Sequence, residues 1–161
     1  MLPPGDFGGN MDIRHLNEGC TLLLPVNVAG ALFSAGDCHA GQGDGEVCVT
    51  GIECPMAFSL RFNLRKGAHL PSPRFIVKRS PVSTHDKDAG CFATTGVGPD
   101  LMQNARNAVR RMIDWLTKEH GLAPEEAYVL CSVAGDLKIS EIVDQPNWIV
   151  SFYMPLSIFV G

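Results

Sequence analysis

The sequence predicts a β-rich α+β fold in which an antiparallel sheet packs against two helices on one side or at one end. Short apolar runs broken by Gly and Pro dominate residues 20–98, helical periodicity follows from residue 100, and two more apolar runs end the chain. This order of strands, two helices and closing strands is typical of α+β proteins. With 161 residues, 45% of them hydrophobic, the chain can bury a sizeable core. We therefore treat it as a single domain, 1–161, with a β-rich part, 1–98, and an α+β part, 99–161.

Four stretches of the β-rich part have strand character. The stretch "CTLLLPVNVAGALFSAG" carries apolar and β-branched runs that Pro25 and Gly30 interrupt, which predicts two short strands. In "AFSLRFNLRK" apolar and polar residues alternate strictly, as expected for a half-buried antiparallel strand. The other predicted strands lie in "VCVTGIECP" and "PSPRFIVKRS", and the polar stretch "PVSTHDKDAG" is predicted to be a surface loop.

A long amphipathic helix is predicted from Asp100 onward. Asp100 with Gln103 three residues later resembles a capping box, and Gly121 supplies the stop signal. The apolar residues recur at spacings of three and four: Leu101, Met102, Ala105, Ala108, Val109, Met112, Ile113 and Leu116. Arginines lie between them and most simply form a solvated face: Arg106, Arg110 and Arg111.

A second helix is predicted from Pro124 to about Gly135. Proline is favoured in the first turn, and the acids Glu125 and Glu126 that follow it suit a helix N-terminus. The chain then ends with two predicted strands, in "LKISEIV" and "NWIVSFYMPLSIFV".

Charge and cysteine usage exclude several classes of protein. The formal net charge is -4, and no Lys/Arg cluster with interleaved aromatics is present, so neither nucleic acid nor a membrane is an expected partner. The start, "MLPPGDFGGN", lacks a basic region followed by an apolar run, and no stretch approaches the roughly 18 apolar residues of a spanning helix. The sequence therefore predicts a soluble, cytoplasmic protein. Its six cysteines form no C-x-x-C pair and favour neither disulfides nor a thiolate zinc site.

The Gly-rich stretch "GDCHAGQGDGEV", residues 36–47, concentrates the side chains best suited to chemistry. In extended backbone, residues two apart lie on the same face, so Asp37 can converge with His39 and Asp44 with Glu46. A neutral imidazole with carboxylate oxygens is a suitable ligand set for zinc or another divalent ion. The glycines allow the backbone to bend around such a centre.

Other polar residues extend this set. Asn10 and Asp12 repeat the two-residue spacing upstream, and Glu53, on the next predicted strand, adds a carboxylate. A spare carboxylate near a bound ion could serve as general base toward water.

Ordinary turn chemistry is the alternative interpretation of the Gly-rich stretch. Asp and Gly alternate in tight turns because Asp hydrogen-bonds to its own backbone and Gly accepts positive φ, so Asp37 and Asp44 could be turn residues only. Cys38 beside His39 does not favour a nucleophile with its base, because adjacent residues on a strand point to opposite faces. The remaining histidines have no ligand partner at useful spacing and are predicted at the surface: His15, His69, His85 and His120.

Four segments resemble a known family. In chain order they are "GGNMDIRHL", "LPVNVAGALFSAGDCHAGQGDGEV", "GIECPM" and "DLMQNARNAVRRMIDWLTKEHGLAPEEAYVLCSVAGDLKISEIVDQPNWIVS". The first three are similar to the core signature of the acetamidase/formamidase family, and the last is similar to its C-terminal region. The resemblance implies hydrolysis of simple amides such as formamide and acetamide to the carboxylate and ammonia, use of a divalent metal, and assembly into oligomers. It also implies a jelly-roll-like β portion beside a smaller α+β portion.

The resemblance places the family's polar motif on eight residues: Asn10, Asp12, Asp37, His39, Gln42, Asp44, Glu46 and Glu53. Their roles follow from chemistry. Asp37 and His39 are the predicted ligands of a divalent ion, with Asp12 or Asp44 completing the set. The ion is predicted to be zinc, with manganese and calcium as alternatives.

The remaining residues of the motif are assigned to catalysis and substrate binding. Glu46 is predicted to take a proton from water whose pKa the ion lowers, and then to protonate the departing nitrogen. The other predicted catalytic carboxylates are Glu53 and Asp44, and the predicted substrate-binding residues are Asn10 and Gln42.

Members of the family are about twice as long as this chain, which matches their second half. We therefore expect the protein to form a homo-oligomer or a complex with the missing N-terminal half. Two functions remain open: a metal-dependent amidohydrolase, or a non-catalytic amidase-like half-protein that acts as a structural or assembly module. Retention of the polar residues favours the first, and the missing half favours the second.

Overall fold

A five-stranded antiparallel sheet organises the residues that this computed structural model describes, which are 2–79, 81 and 89–159. The strands are β1 (Thr21–Leu23), β2 (His39–Gly41), β3 (Ile52–Glu53), β4 (Arg74–Val77), β5 (Cys91–Gly98), β6 (Asp136–Glu141) and β7 (Trp148–Pro155). The helices are α1 (Leu101–His120) and α2 (Pro124–Ala134), and a 3₁₀ turn covers Leu156–Ile158. The sheet order is β1-β4-β5-β7-β6, whereas β2 and β3 form a separate two-stranded ribbon. Most of the predicted loop 81–90, including His85, lies outside the described residues.

The two faces of the sheet have different covers. The central strands β5 and β7 pair along eight positions, from Cys91 with Pro155 to Gly98 with Trp148. Because side chains alternate along a strand, Val150 and Phe152 face α1 and α2, whereas Ile149 and Tyr153 face the opposite side. That opposite face is covered by the N-terminal segment, which buries Ile13 against it. The helices and the N-terminal polar segment therefore lie on opposite sides of the sheet.

Helix α1 has the bounds that its pattern predicts. The Asp100 carboxylate accepts a hydrogen bond from the backbone N–H of Gln103 at 2.8 Å, and Gly121 ends the helix in the left-handed conformation with φ 69°. The Gln103 side chain bonds to Asn107 rather than back to the cap, so only half of the capping box forms. The face that α1 buries is the predicted apolar one: Ala108, Met112 and Leu116.

Helix α2 also follows the prediction, and the α+β class is confirmed. The backbone N–H of Ala123 donates to the Glu126 carboxylate at 2.9 Å, and Ala127 and Cys131 are buried. Strands β6 and β7 confirm the two closing strands. Among the described residues, no helix combines the length and the apolar character that crossing a bilayer requires.

The strand prediction for "AFSLRFNLRK" is wrong. Residues 57–66 form no strand, and all of them are exposed. The second strand predicted in "CTLLLPVNVAGALFSAG" is also absent, and "VCVTGIECP" keeps only the two residues of β3. The physical reason is that a strand needs a hydrogen-bonding neighbour, and no described strand runs beside these segments. The alternation of apolar residues therefore shows which side chains would share one face of a strand, but it does not supply the neighbouring strand.

Two residues predicted at the surface are instead packed. The side chain of Arg111 is only 16% exposed, and its guanidinium donates to the backbone oxygen of Thr95 at 2.6 Å and lies 3.4 Å from Asp6. His15 is half-buried, with Nδ1 2.9 Å from the Tyr153 hydroxyl. Both side chains bond to polar groups that are distant in sequence, which a solvated-surface pattern does not anticipate. The other described members of these sets are exposed as predicted: Arg106, Arg110, His69 and His120.

Candidate active site

Backbone hydrogen bonds hold the Gly-rich segment against the edge strand β6. The N–H of Gly45 donates to the backbone oxygen of Ser140 at 3.0 Å, and the oxygen of Gly45 accepts from Ile142 at 3.1 Å. These bonds form a short parallel bridge between Gly45 and Glu141. As a result, Glu46, which follows Gly45 in the chain, lies next to the end of β6 at Glu141.

The ribbon of β2 and β3 positions the only histidine of the segment. His39 on β2 pairs directly with Glu53 on β3, and the N–H of Cys54 donates to the backbone oxygen of Cys38 at 3.0 Å. Opposite residues of an antiparallel pair project to the same face. The ribbon therefore brings the imidazole of His39 and the carboxylate of Glu53 together.

Several carboxylates surround the His39 imidazole, whose side chain is 9% exposed. Its Nε2 lies 3.0 Å from Glu53 and 3.5 Å from Asp37, and its Nδ1 lies 3.8 Å from Glu46. One ligand atom each from Asp12, Asp37 and His39 fall within 4.8 Å of one another. The structure thus brings together the three residues predicted as metal ligands.

Gln42 determines which nitrogen of His39 is available. The side-chain N–H of Gln42 donates to the backbone oxygen of Asp12 at 2.5 Å, and a carbonyl can only accept. The Gln42 oxygen must then face His39, so Nδ1 of a neutral ring carries the proton and donates to it at 2.8 Å. The lone pair is left on Nε2, which is buried, lies 3.0 Å from a Glu53 oxygen and has no hydrogen-bond partner among the described residues. Both ends of Gln42, predicted to bind substrate, are used in holding the site.

A second carboxylate group adjoins the first and was missed by the sequence analysis. Ligand atoms of Asp12, Glu141 and Asp144 also lie within 4.8 Å of one another. Glu141 is fully buried and Asp144 is 6% exposed, and one oxygen of each has no hydrogen-bond partner among the described residues. The side-chain amide of Asn10 donates to the other oxygen of Asp144, so this predicted substrate-binding residue also holds the site.

A sequence signal for the missed group does exist. Glu141 lies inside the predicted strand "LKISEIV", between apolar residues, where an unpaired carboxylate is unusual. Asp144 follows three residues later. The spacing of polar residues within 10–53 does not reveal these acids, because the bridge between Gly45 and Glu141 is a long-range contact.

Burial and mutual repulsion raise the pKa values of the acids in the site. Burial, followed by the charge of Asp12, raises the pKa of Glu46 to about 7. Burial and the neighbouring Asp144 raise the pKa of Glu141 to about 8. The pKa of Asp12 is raised by burial and then by Asp37. The described residues of the site therefore do not fully compensate the negative charge of its carboxylates.

The pKa values of His39 and Glu53, the two titratable groups on the ribbon, shift in favour of the charged forms. The hydrogen bond that His39 donates to Gln42 raises the pKa of the imidazole, burial opposes this shift, and the nearby Glu53 raises the pKa further. The hydroxyl of Thr50, which donates to Glu53 at 2.8 Å, lowers the pKa of that carboxylate, and the charge of His39 lowers it further. Glu53 is therefore a stable carboxylate, whereas Glu46 can carry or release a proton near neutral pH.

Asp44 is the predicted site residue that the structure does not bring to this cluster. Its carboxylate lies 3.4 Å from the ammonium of Lys138 on β6. It lines a separate surface depression together with Arg14 and His15. Asp44 thus anchors the Gly-rich segment to the sheet, which also removes it as a third ligand beside Asp37 and His39.

Three site residues have left-handed backbone conformations. The φ angles of Asn10, Asp37 and Glu46 are 49°, 59° and 46°. Such values are uncommon outside glycine, although Asn and Asp adopt them more readily than Glu. The hydrogen bonds of Gly45 with β6 fix the backbone immediately before Glu46. Strained residues that the surrounding structure holds in place are frequent at functional sites.

The fold and the site together define an α+β protein with a carboxylate-rich cluster around one buried imidazole. His39, Glu141 and Asp144, each with one unpartnered buried atom, belong to two adjoining groups that share Asp12. The surplus of carboxylates in these groups favours binding of a positive charge. One nitrogen with several oxygens is a donor set that suits zinc, manganese or calcium. The residues present therefore fit a divalent cation.

The chain belongs to the acetamidase/formamidase family, whose family model matches residues 1–160. It is 32% identical to the formamidase of Methylophilus methylotrophus over 98% of this chain and 41% of that protein. It is 30% identical to the acetamidase of Mycolicibacterium smegmatis over 80% of this chain and 34% of that protein.

Solved structures of the family have the same fold. The acetamidase of Bacillus halodurans superposes with a TM-score of 0.79 at 32% identity, covering 97% of this chain and 49% of that one. A predicted acetamidase/formamidase from Thermoanaerobacter tengcongensis gives a TM-score of 0.78, also at 32% identity, with coverages of 96% and 48%. The chain thus spans less than half the length of each of these relatives.

Proposed function

We propose that the cluster around His39 hydrolyses small linear amides, such as formamide or acetamide, to the carboxylate and ammonia. The observation that carries this proposal is the convergence of Asp12, Asp37 and His39 within 4.8 Å, with Glu46 close to the same imidazole. The names of the similar proteins, formamidase and acetamidase, support the reaction class.

Asp12, Asp37 and His39 would hold a divalent cation, with zinc as the first candidate and manganese or calcium as alternatives. When bound, such an ion supplies Lewis acidity, which lowers the pKa of water and polarises an amide carbonyl. Gln42 prepares the site, because it keeps the proton of His39 on Nδ1 and leaves Nε2 as a donor atom. Second partners of this kind orient metal-binding histidines in many proteins.

Glu46 is the proposed proton carrier. Its pKa of about 7 means that it can be ionised before the reaction and protonated during it. It takes one proton from the attacking water as the new C–O bond forms, and it delivers that proton to the nitrogen as the C–N bond breaks. Glu53 stays ionised beside Nε2 and would offset the positive charge of a bound cation.

The test is ammonia release from formamide and acetamide by the purified chain loaded with zinc, manganese or calcium. We expect turnover that a chelator abolishes and that Glu46→Gln lowers by about 100-fold or more, because a positioned acid–base group contributes that much. Glu18→Gln, at an exposed position outside the cluster, is the matched control and should leave the rate unchanged. Turnover that survives both the chelator and Glu46→Gln would contradict the proposal.

A second candidate function is a non-catalytic, amidase-like module with a structural or assembly role. The observation in its favour is an open site: the side chains of Asp37 and Glu53 are 64% and 53% exposed, and the relatives are more than twice as long. Cation binding without ammonia release, in a protein with a native circular dichroism spectrum, would support this second function over the first.

A further inference from the structure

One glycine beside the candidate site leaves room for the imidazole of His39. A Cβ atom placed on Gly51 would lie 2.7 Å from both Cγ and Nδ1 of the His39 ring and 3.0 Å from the backbone oxygen of Gly41. Carbon atoms in contact are normally about 3.5–4.0 Å apart. A side chain at position 51 would therefore force the ring to move.

The ribbon of β2 and β3 explains why position 51 faces the ring. Gly51 precedes β3 and lies two residues before Glu53, so in extended backbone the two residues project to the same face. Glu53 pairs directly with His39 across the ribbon, and paired residues also share a face. Gly51 is thus a diagonal neighbour of His39, and a side chain there would point at the imidazole.

Backbone conformation does not account for a glycine at this position. Gly45 and Gly67 have positive φ angles, of 91° and 72°, whereas the φ of Gly51 lies outside the left-handed region. Alanine can adopt such a φ without the strain that a left-handed conformation imposes. The requirement for glycine at position 51 is therefore one of space.

A displaced ring would lose the geometry of the site. Nδ1 of His39 donates to the Gln42 side chain at 2.8 Å. Nε2 lies 3.0 Å from Glu53 and 3.5 Å from Asp37. Ordinary contact with a Cβ on Gly51 would require a shift of the ring by about 1 Å. The ligands of a metal site have to be held within about 0.5 Å of their working positions, so this shift is too large.

We propose that Gly51 is a positioning residue: the space left by its missing side chain fixes the plane of the His39 imidazole, with Nδ1 on Gln42 and Nε2 beside the carboxylates. The value of this plane for cation binding rests on the proposed function, whereas the placement of the ring does not. Because Gly51 acts only through the ring, its effect should vanish when the ring is absent.

Urea unfolding of the full chain in a chelator tests the contact between Gly51 and the ring. Gly51→Ala should lower the urea midpoint. In a His39→Ala background most of this fall should disappear, because only the approach to the Gly41 oxygen is left. If Gly51→Ala alone does not fold, recovery of the fold in the His39→Ala background gives the same result. An equal fall in both backgrounds, or no fall in either, would overturn the proposal.

The matched control for the unfolding experiment is Gly41→Ala on the same ribbon. A Cβ at this position makes only an ordinary contact of 3.5 Å with Ile52. The control should therefore leave the urea midpoint of each background unchanged. A midpoint that falls as far in Gly41→Ala as in Gly51→Ala would show that the ribbon does not tolerate alanine in general, and this too would overturn the proposal.

Two further measurements give readouts that a merely structural role of Gly51 would not move. NMR of the imidazole nitrogens at alkaline pH, where the ring is neutral, should show the Nδ1–H form of His39 in the wild type and less of it in Gly51→Ala. Zinc affinity, measured by competition with a chromogenic chelator, should fall by about 10–100-fold. Gly51→Ala/Gln42→Leu should lose little more affinity than the weaker-binding single variant, because both changes act through one ring.

A variant Gly51→Ala with a lower urea midpoint but an unchanged His39 tautomer and unchanged zinc affinity would reduce Gly51 to a structural role and overturn the proposal. So would losses of zinc affinity that multiply in the double variant. Unfolding and NMR need no cation, so they decide on the role of Gly51 even if the wild type binds no zinc, a result that would reject only the proposed function.

Discussion

At the scale of single residues, the site depends on amide side chains that hold its acids in place. Gln42 and Asn10 were predicted to bind substrate, yet their amides bond to Asp12 and Asp144 and hold the acids in place. Amide side chains are suited to this task, because each offers a donor and an acceptor in fixed geometry. The sequence identifies such residues as polar and local, but only the fold reveals to which partners they are committed.

The main effect of Gln42→Leu should therefore be weaker cation binding. Leucine has a similar size but cannot accept the Nδ1 proton of His39, so the ring can rotate or change tautomer. We expect zinc affinity to fall by about 10–100-fold, the usual cost of removing such a partner. Competition titration against a chromogenic chelator measures it. Gln103→Leu, on the exposed side of α1, is the control, and equal affinities in both variants would refute the role of Gln42.

At the scale of elements, predictability depends on whether an element contains its own hydrogen bonds. Helix α1 does, so its period, its Asp100 cap and its Gly121 stop predict its limits. Strands do not, and for that reason β4, β6 and β7 form where neighbours exist, whereas the alternating residues 57–66 remain unpaired. The same limit applies to the site, because Glu141 joins it through long-range contacts, which include the bridge of β6 with Gly45.

The contact between α1 and β5 offers a test of the fold itself. A Cβ atom at Gly96 would overlap the backbone oxygen of Asn104, whose side chain bonds to Gly98 and Trp148. Because backbone atoms cannot move aside as a flexible side chain can, Gly96→Ala should lower the free energy of unfolding by about 1–3 kcal/mol.

Urea unfolding measures this change, and the control is Gly36→Ala, where a Cβ meets no atom within 4 Å. Equal stabilities of the two variants would show that α1 does not approach β5 this closely.

At the scale of the whole molecule, the larger hydrophobic core and the candidate site lie on opposite faces of the sheet. One face carries α1 and α2 over the larger core, whereas the other carries the N-terminal and Gly-rich segments with the polar cluster. The acids of that cluster are close enough to repel one another when no cation is present. Their ionisation should therefore oppose folding of the metal-free protein, and the pH dependence of stability reports it.

The sign of this effect follows from Glu141. Its pKa rises from the usual 4.5 to about 8 on folding, so the folded state holds a proton that the unfolded state releases. The stability that depends on this proton is fully present below pH 4.5 and is lost as the pH rises through about 8. Each unit of pKa difference corresponds to about 1.4 kcal/mol as an upper bound. Urea unfolding in a chelator should therefore show falling stability between these values.

Glu141→Gln keeps the size of the side chain and removes its charge, so the fall in stability should become shallower. Part of the fall in stability should persist, because burial also raises the pKa of Glu46. Glu18→Gln, at an exposed site, should retain the full slope of the wild type. Saturating zinc should also flatten the wild-type curve, since a bound cation offsets the repulsion that the proton otherwise relieves. If Glu141→Gln and the wild type had the same slope without metal, the acids of the cluster would not be held together in solution as they are in this fold.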